Sequence, residues 1–370
     1  MMNIIKNVKI INYNEIIECA DIYIQDDKIT QIIRNNNKAN AIAVPGFIDT
    51  HIHGFKGYDV MEGTKAVKNI SKYLAKHGTT SFMPTAMTNN WKVILKSLRE
   101  IANNEVWVSK NLGIHIEGPF IGLSKKGAHK PEYLQKSNAQ KINTLYSASL
   151  KQLKKISFDP LMVNIQTFKY LQNKLNIIGS IGHTNASLKV CDKFFENGCF
   201  SVCHLWNAMS GIDSRNPGLL QSSFLNNNSY AELIIDLLHV SKESLELTFL
   251  NKGYDKIIAI SDAIKPAYTK NGDSISGDIP VTKNKLKIVL KGTNTIAGSG
   301  ITIHDAFKNL IKIGVSMQNA VKLTSYNSAK YLKLENEIGV ISPHYFADIV
   351  LLDTKNLKIK NVYINGNLIR

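Results

Sequence analysis

Eight short apolar runs, separated by stretches of helical period, constrain this chain more than any other feature. In order from residue 46 they read GFIDTHIHG, TTSFMPT, NLGIHIEGP, KKISFDP, IIGSIGHT, FSVCHLWN, AELIIDLLHV and KIIAISDA. Helix-period segments at 64–77, 90–104, 187–197 and 241–251 lie between several of them, and two more, at 303–313 and 317–332, follow the last. Eight parallel strands alternating with helices is the number that closes a (β/α)8 barrel of the TIM type. The expected fold class is therefore α/β, with a barrel over residues 45–344.

The two ends have a different rhythm. VKIINYN and CADIYIQDDKITQII alternate apolar and polar residues around a DDK turn, and ADIVLLD and LKIKNVYINGNLI do the same, with Asn365-Gly366 as a hairpin turn signal. Residues 1–44 and 345–370 are expected to pair into one small β-sandwich domain built from both termini. Beyond this alternation there is no internal repeat and no low-complexity linker.

At the mouth of such a barrel the C-terminal strand ends converge, so residues distant in sequence become neighbours. Seven runs carry an ionisable residue near that end: His51 and His53, Glu117, Asp159, His183, His204, His239 and Asp262; the second ends in Thr85. His51 and His53, at i and i+2, point to one face of a strand, as a grip on a metal ion or as two solvated histidines. Glu117, in GIHIEGPF, would cost several kcal/mol if buried unpaired, and a cation removes that cost. His115 shares its strand face and is assigned to orienting a ligand or a water. With His183 and His204, which end consecutive strands, Glu117 makes a three-residue set that leaves an open position, the pattern of a catalytic metal site. Cys203, beside His204, is expected to face the opposite side and pack. Asp262, after the apolar strand KIIAIS, suits a general base that becomes a general acid; a helix N-cap is the plainer alternative.

Composition narrows the class. Lys and Arg outnumber Asp and Glu by 45 to 29, a formal charge of +16. The lysines are scattered along the chain, which points to a solvated basic surface favouring a small anionic substrate, and not to a nucleic-acid groove. Four cysteines without a CxxC pair argue against a disulfide framework or a zinc knuckle. The first residues lack a signal-peptide pattern, and no run approaches the roughly 20 apolar residues of a membrane span. A cytoplasmic protein without a membrane partner is expected.

Taken in order, PGFIDTHIHG, HIEGPF, KKGAH, GHTNA, HLWNAMS, LLHV, SDA and AGSG resemble the amidohydrolase superfamily, most closely its N-acetylglucosamine-6-phosphate deacetylases. The resemblance runs from about residue 44 to ADIVLLD near 352 and implies a metal-dependent barrel with a small β-domain from both termini. It implies that Glu117, His183 and His204 hold the principal divalent ion, zinc or iron, and that Asp262 is the catalytic acid and base. His129 matches the residue that polarises the acetamide carbonyl, and His239 a sugar-contacting histidine. Asn207 and Ala208 match the stretch that meets the phosphate, and Arg215 a phosphate-binding arginine that reaches the partner's site in a homodimer. With both histidines of the first HxH intact, a second ion bridged by Glu117 is implied as an option. The family's Arg-Glu-Pro-Gly reads RNPG at 215–218, its Asp-Gly-Leu-His reads DLLH at 236–239, and FDP stands where many relatives have Pro-Glu. These departures touch loops around the sugar and bear on substrate preference. The expected reaction is hydrolysis of N-acetylglucosamine 6-phosphate to glucosamine 6-phosphate and acetate. The alternatives are the galactosamine epimer, a cyclic amide, or a silent sugar-phosphate or nucleic-acid binding protein.

Overall fold

The computed structural model describes residues 2–370. Four strands open the chain: β1 (Met2–Ile11), β2 (Ile16–Gln25), β3 (Lys28–Arg34) and β4 (Ala41–Pro45). Eight barrel strands follow: β5 (Phe47–Ile52), β6 (Thr79–Met87), β7 (Ile114–Glu117), β8 (Leu153–Phe158), β9 (Ile178–Ile181), β10 (Ser201–Val202), β11 (Tyr230–Ile234) and β12 (Ile257–Ile260). Each pairs in parallel with the next, from β5 through β12. The ring closes at the mouth, where Asp262 N donates to His51 O and His53 N to Ala263 O, both at 2.9 Å. This is the α/β barrel expected from the eight runs.

Helices α1 (Thr64–Lys76), α2 (Trp91–Ala102), α3 (Ala139–Ala148), α4 (Ile165–Leu175), α5 (Leu188–Glu196), α6 (Leu219–Leu225), α7 (Lys242–Lys252) and α8 (Ile303–Lys312) surround it. Asn90, Asn138, Asn164 and Ser241 each cap a helix through a side-chain oxygen that accepts a backbone N–H. The buried faces of these helices, such as Ile94, Leu98 and Ile101 of α2 and Phe168 and Leu171 of α4, form one continuous core with the barrel strands. Over 317–331 the helix continues through a π-helical turn at Lys322–Tyr326.

A three-stranded antiparallel hairpin sheet interrupts the barrel pattern after β12: β13 (Gly272–Ser276), β14 (Ile279–Asn284) and β15 (Lys287–Leu290). Strands β16 (Ile349–Leu352), β17 (Ile359–Ile364) and β18 (Asn367–Leu368) then return to the opening strands. Together the termini form a seven-stranded sheet in the order β18-β17-β16-β4-β1-β2-β3. This sheet curls until β3 meets the segment before β16, through Ile29 N to Tyr345 O at 2.9 Å and His344 N to Ile29 O at 2.8 Å. Ile5, Ile10, Ile22, Ala43 and Ile349 fill the core it encloses. Among the described residues no helix is long and apolar enough to cross a membrane.

Candidate metal centre

At the mouth the strand ends and the loops after them bring seven side chains into one contiguous cluster. Glu117, the last residue of β7, stands between two pairs of histidines. Its Oε1 lies 2.9 Å from His183 Nε2 and 2.9 Å from His204 Nε2, while its Oε2 lies 3.2 Å from His53 Nε2 and 3.4 Å from His129 Nε2. Asp262 Oδ1 is 3.2 Å from His53 Nε2 and 3.6 Å from His51 Nε2. Among the histidines themselves, His51 and His53 bring their Nε2 atoms to 3.1 Å, and His183 and His204 to 3.0 Å. All of these side chains are buried.

Local backbone geometry aims them. His183, His204 and Asp262 each stand two residues beyond a strand and take left-handed backbone angles, with φ of 49°, 23° and 48°. After Glu117, Gly118 turns the chain with φ 80°; a Cβ there would meet Thr88 Oγ1 at 2.1 Å, so only glycine fits.

Backbone carbonyls orient several rings. His53 Nδ1 lies 3.0 Å from Thr85 O and His183 Nδ1 lies 3.0 Å from Lys125 O, so each Nδ1 donates and each Nε2 turns a lone pair inward. The inward-facing atoms are therefore mostly acceptors: imidazole nitrogens and the oxygens of Glu117 and Asp262. His204 Nδ1 and His129 Nδ1 are buried without a hydrogen-bond partner. Such a cluster requires a positive charge.

The acid-base balance shows the same demand. Against burial, which favours the neutral ring, Asp262 and Glu117 push His53 up to about 10. Burial again opposes, and Glu117 again prevails, in pushing His204 up to about 9, whereas burial takes His183 down to about 4. With their Nε2 atoms 3.0 Å apart, the two rings cannot both turn a proton toward each other. Glu117 is held well below the carboxylate range: burial opposes this, and His129, His183, His204 and His51 outweigh it. A site that holds protons this strongly is one where a divalent cation competes for the same lone pairs. The residues present thus fit a metal ion, and His51–His53–Asp262 and Glu117–His129–His183 are both groups with ligand-type atoms within reach of a common ion.

The centre forms the floor of a cavity of about 360 Å³. His129, Asn207, Ala208 and His239 line it, together with Lys125 and an apolar wall of Met87, Ile264, Ile279 and Val281. His239 Nδ1 lies 2.6 Å from Asp236 Oδ2. Arg215 is exposed and lines an adjoining groove with Lys189, of which Lys125 is the shared wall. Asp159, singled out as a strand-end carboxylate, lies outside the cavity, where it accepts from Thr184 Oγ1 at 2.6 Å and Leu161 N at 2.8 Å. His115 packs edge-on against His51, with ring centroids 4.5 Å apart, and bonds Thr85 Oγ1 at 3.1 Å and Ser157 Oγ at 2.8 Å.

Cys203 corrects the expectation that it packs outward. β10 ends at Val202, so strand alternation no longer governs residue 203, and its Sγ turns inward to Ser157 Oγ at 3.2 Å and His51 Nδ1 at 3.7 Å. Lys155, Glu232 and the hairpin residues Ser276, Ile279 and Val281 escaped the sequence reading. A lysine inside KKISF and a glutamate inside AELII, each mid-run in a parallel barrel, were signals that could have exposed the first two.

The sequence pattern of the Amidohydrolase family matches residues 42–369. The chain is 30% identical over 365 residues to an N-acetylglucosamine-6-phosphate deacetylase of Lysinibacillus sphaericus, covering 95% of this chain and 93% of that protein. It is 26% identical over 336 residues to an N-acetylgalactosamine-6-phosphate deacetylase of Escherichia coli O157:H7, covering 88% and 86%. The crystal structure of N-acetylglucosamine-6-phosphate deacetylase from Thermotoga maritima superposes with a TM-score of 0.91 at 28% identity, covering 100% of this chain and 99% of that one.

Proposed function

The chain belongs to the amidohydrolase family, and from that premise we propose that it hydrolyses the N-acetyl group of N-acetylglucosamine 6-phosphate, giving glucosamine 6-phosphate and acetate. The convergence of Glu117, His183 and His204 beside Asp262 on the floor of one cavity carries this reading. Those three side chains would hold the principal divalent ion, zinc or iron, and His51 and His53 a second, with Glu117 offering one oxygen to each side. A divalent ion bound there acts as a Lewis acid and lowers the pKa of water toward neutrality.

Asp262 supplies the proton path. It is held below the carboxylate range, because the neighbouring His51 and His53 outweigh burial, so it is charged and ready to accept a proton from the attacking water. It then returns that proton to the departing amine nitrogen. His129 lines the cavity with its Nε2 toward Glu117 and would polarise the acetamide oxygen as charge develops on it. Asp236 fixes the ring of His239, leaving Nε2 for a sugar hydroxyl. Asn207, Ala208 and Lys125 meet the phosphate end, and Arg215 completes the phosphate site of a partner subunit in a homodimer. Four buried free cysteines suit a reducing cytoplasm.

Acetate release from N-acetylglucosamine 6-phosphate, its galactosamine epimer and the unphosphorylated sugar, alongside ring opening of a cyclic amide, tests the reading. Fastest turnover of the glucosamine phosphate is expected. Preference for the epimer would reassign the sugar, cyclic-amide turnover alone would reassign the reaction, and no turnover in metal-replete protein would leave a silent binding protein.

A further inference from the structure

Directly beneath the candidate centre, two charged side chains are fully buried inside the barrel, and the mechanism above makes no use of them. Lys155 of β8 and Glu232 of β11 are each 0% exposed. Lys155 Nζ donates to Glu232 Oε1 and, at 3.1 Å, to Thr50 O, while Thr50 Oγ1 donates to the same Oε1 at 2.9 Å. Glu232 Oε2 is left facing His51 Nδ1 at 3.5 Å. Burying two charges costs several kcal/mol for each ion, and an apolar pair of similar volume often serves stability as well or better. Stability alone does not account for this pair.

We infer that the Lys155–Glu232 pair is a positioning device that fixes the tautomer of His51 and so prepares the second ion's place. The inference rests on the two-ion reading above. An ionised carboxylate offers only acceptors, so Glu232 Oε2 draws the imidazole proton to Nδ1. The Nε2 lone pair then faces His53 Nε2, Glu117 Oε1 at 3.8 Å and Asp262 Oδ1. Cys203 Sγ, 3.7 Å from the same Nδ1, is a weaker acceptor on that side. Paired with the Lys155 ammonium and the Thr50 hydroxyl through Oε1, Glu232 is a carboxylate whose other oxygen is left to accept from His51. His53 and His183 achieve the same ring orientation with backbone carbonyls; His51 receives it from a side chain that needs its own counter-ion.

Glu232→Gln tests this with almost no change of shape. Lys155 and Thr50 are both donors toward Oε1, so the amide oxygen stays with them and the amide NH2 turns to His51 Nδ1. That nitrogen must then accept, which moves the ring proton to Nε2. Metal-free wild-type protein titrated with Co2+, followed by visible absorption and elemental analysis, is expected to take two equivalents per chain. The variant should keep the first and bind the second about 10–100-fold more weakly, the usual effect of losing a group that orients a ligand. Melting of the metal-free proteins reports folding separately. If the variant does not fold, Lys155→Met in the same chain removes the uncompensated charge, and the same loss is expected. Two equal equivalents in both proteins would reduce the pair to a structural feature and overturn this inference alone. A single equivalent in the wild type would overturn the two-ion reading and this inference with it.

Discussion

His183, His204 and Asp262 hold a backbone conformation that residues with side chains seldom adopt, at a cost of roughly 1–3 kcal/mol each. The strain has a visible return: each side chain is turned off the line of its strand and into the mouth. For Asp262 the consequence is testable. Asp262→Asn keeps the size and the turn but cannot take a proton, so kcat should fall by about 10²–10⁴-fold while the metal content stays that of the wild type. Turnover within a few-fold of wild type would remove Asp262 from the proton path. At this scale the sequence was most legible where polar residues close apolar runs, because a strand end leaves few other uses for a histidine or glutamate. It was least legible inside the strands. Lys155 and Glu232 lie 77 positions apart, and only closure of the barrel explains how two charges in apolar runs can coexist. Cys203 was misread because alternation was carried one residue past the end of a strand only two residues long.

The elements around the mouth are tied to the hairpin β13–β15. Asp59 Oδ2 accepts from Gly277 N at 2.8 Å and Ser276 Oγ at 3.2 Å, and its Oδ1 accepts from Met61 N at 2.9 Å. On the other side Lys130, next to His129, meets Asp278 at 2.6 Å. The second tie is about a third exposed and solvent screens it, whereas Asp59 is buried and its removal strands donors at a cost of about 1–3 kcal/mol. Asp59→Ala should therefore raise KM more than Asp278→Asn, which should change it by no more than about fivefold. An equal effect of the two in steady-state assays would show that the hairpin is not held from the Asp59 side. The hairpin's alternating segment, DSISGDIPVTKNKLKIVL, lies between the eighth run and the helix-period segment at 303–313 and is left unassigned by a reading that follows the barrel's alternation. Eight barrel strands were recoverable because parallel strands covered on both faces leave unbroken apolar runs. At the end of α1, His77 sits edge-on to Phe55 at 5.2 Å and Tyr268 at 4.6 Å between ring centroids, and burial takes it down to about 4. Its folded pKa lies below the unfolded value of about 6.5, so the stability it contributes is complete above that value and is lost as pH falls toward 4. Because the ring is half-buried, the loss between pH 6.5 and 5 should be at most about 2 kcal/mol. Melting curves for wild type and His77→Phe should diverge over that interval, with the wild type losing stability; parallel curves would show that His77 is not the group responsible.

For the whole molecule, the placement of Arg215 matters most. The chain closes its barrel and surrounds the candidate metal centre with its own residues, yet Arg215 is exposed in the groove beside the cavity and not in it. If Arg215 serves the cavity of a partner subunit, each active site draws Asp262 from one chain and Arg215 from the other. Asp262→Asn removes the proton path, and Arg215→Ala weakens capture of the phosphate, so at substrate concentrations well below KM each homogeneous variant should turn over slowly. Mixing the two by unfolding and refolding them together gives dimers with one chain of each kind. In those dimers one site combines two defects, while the other joins an intact Asp262 to an intact Arg215. Random pairing makes half the dimers mixed, so activity should recover to about a quarter of the wild-type value. Arg215 acting within its own chain would leave every site with one defect, and the mixture would then show only the average of the two parents.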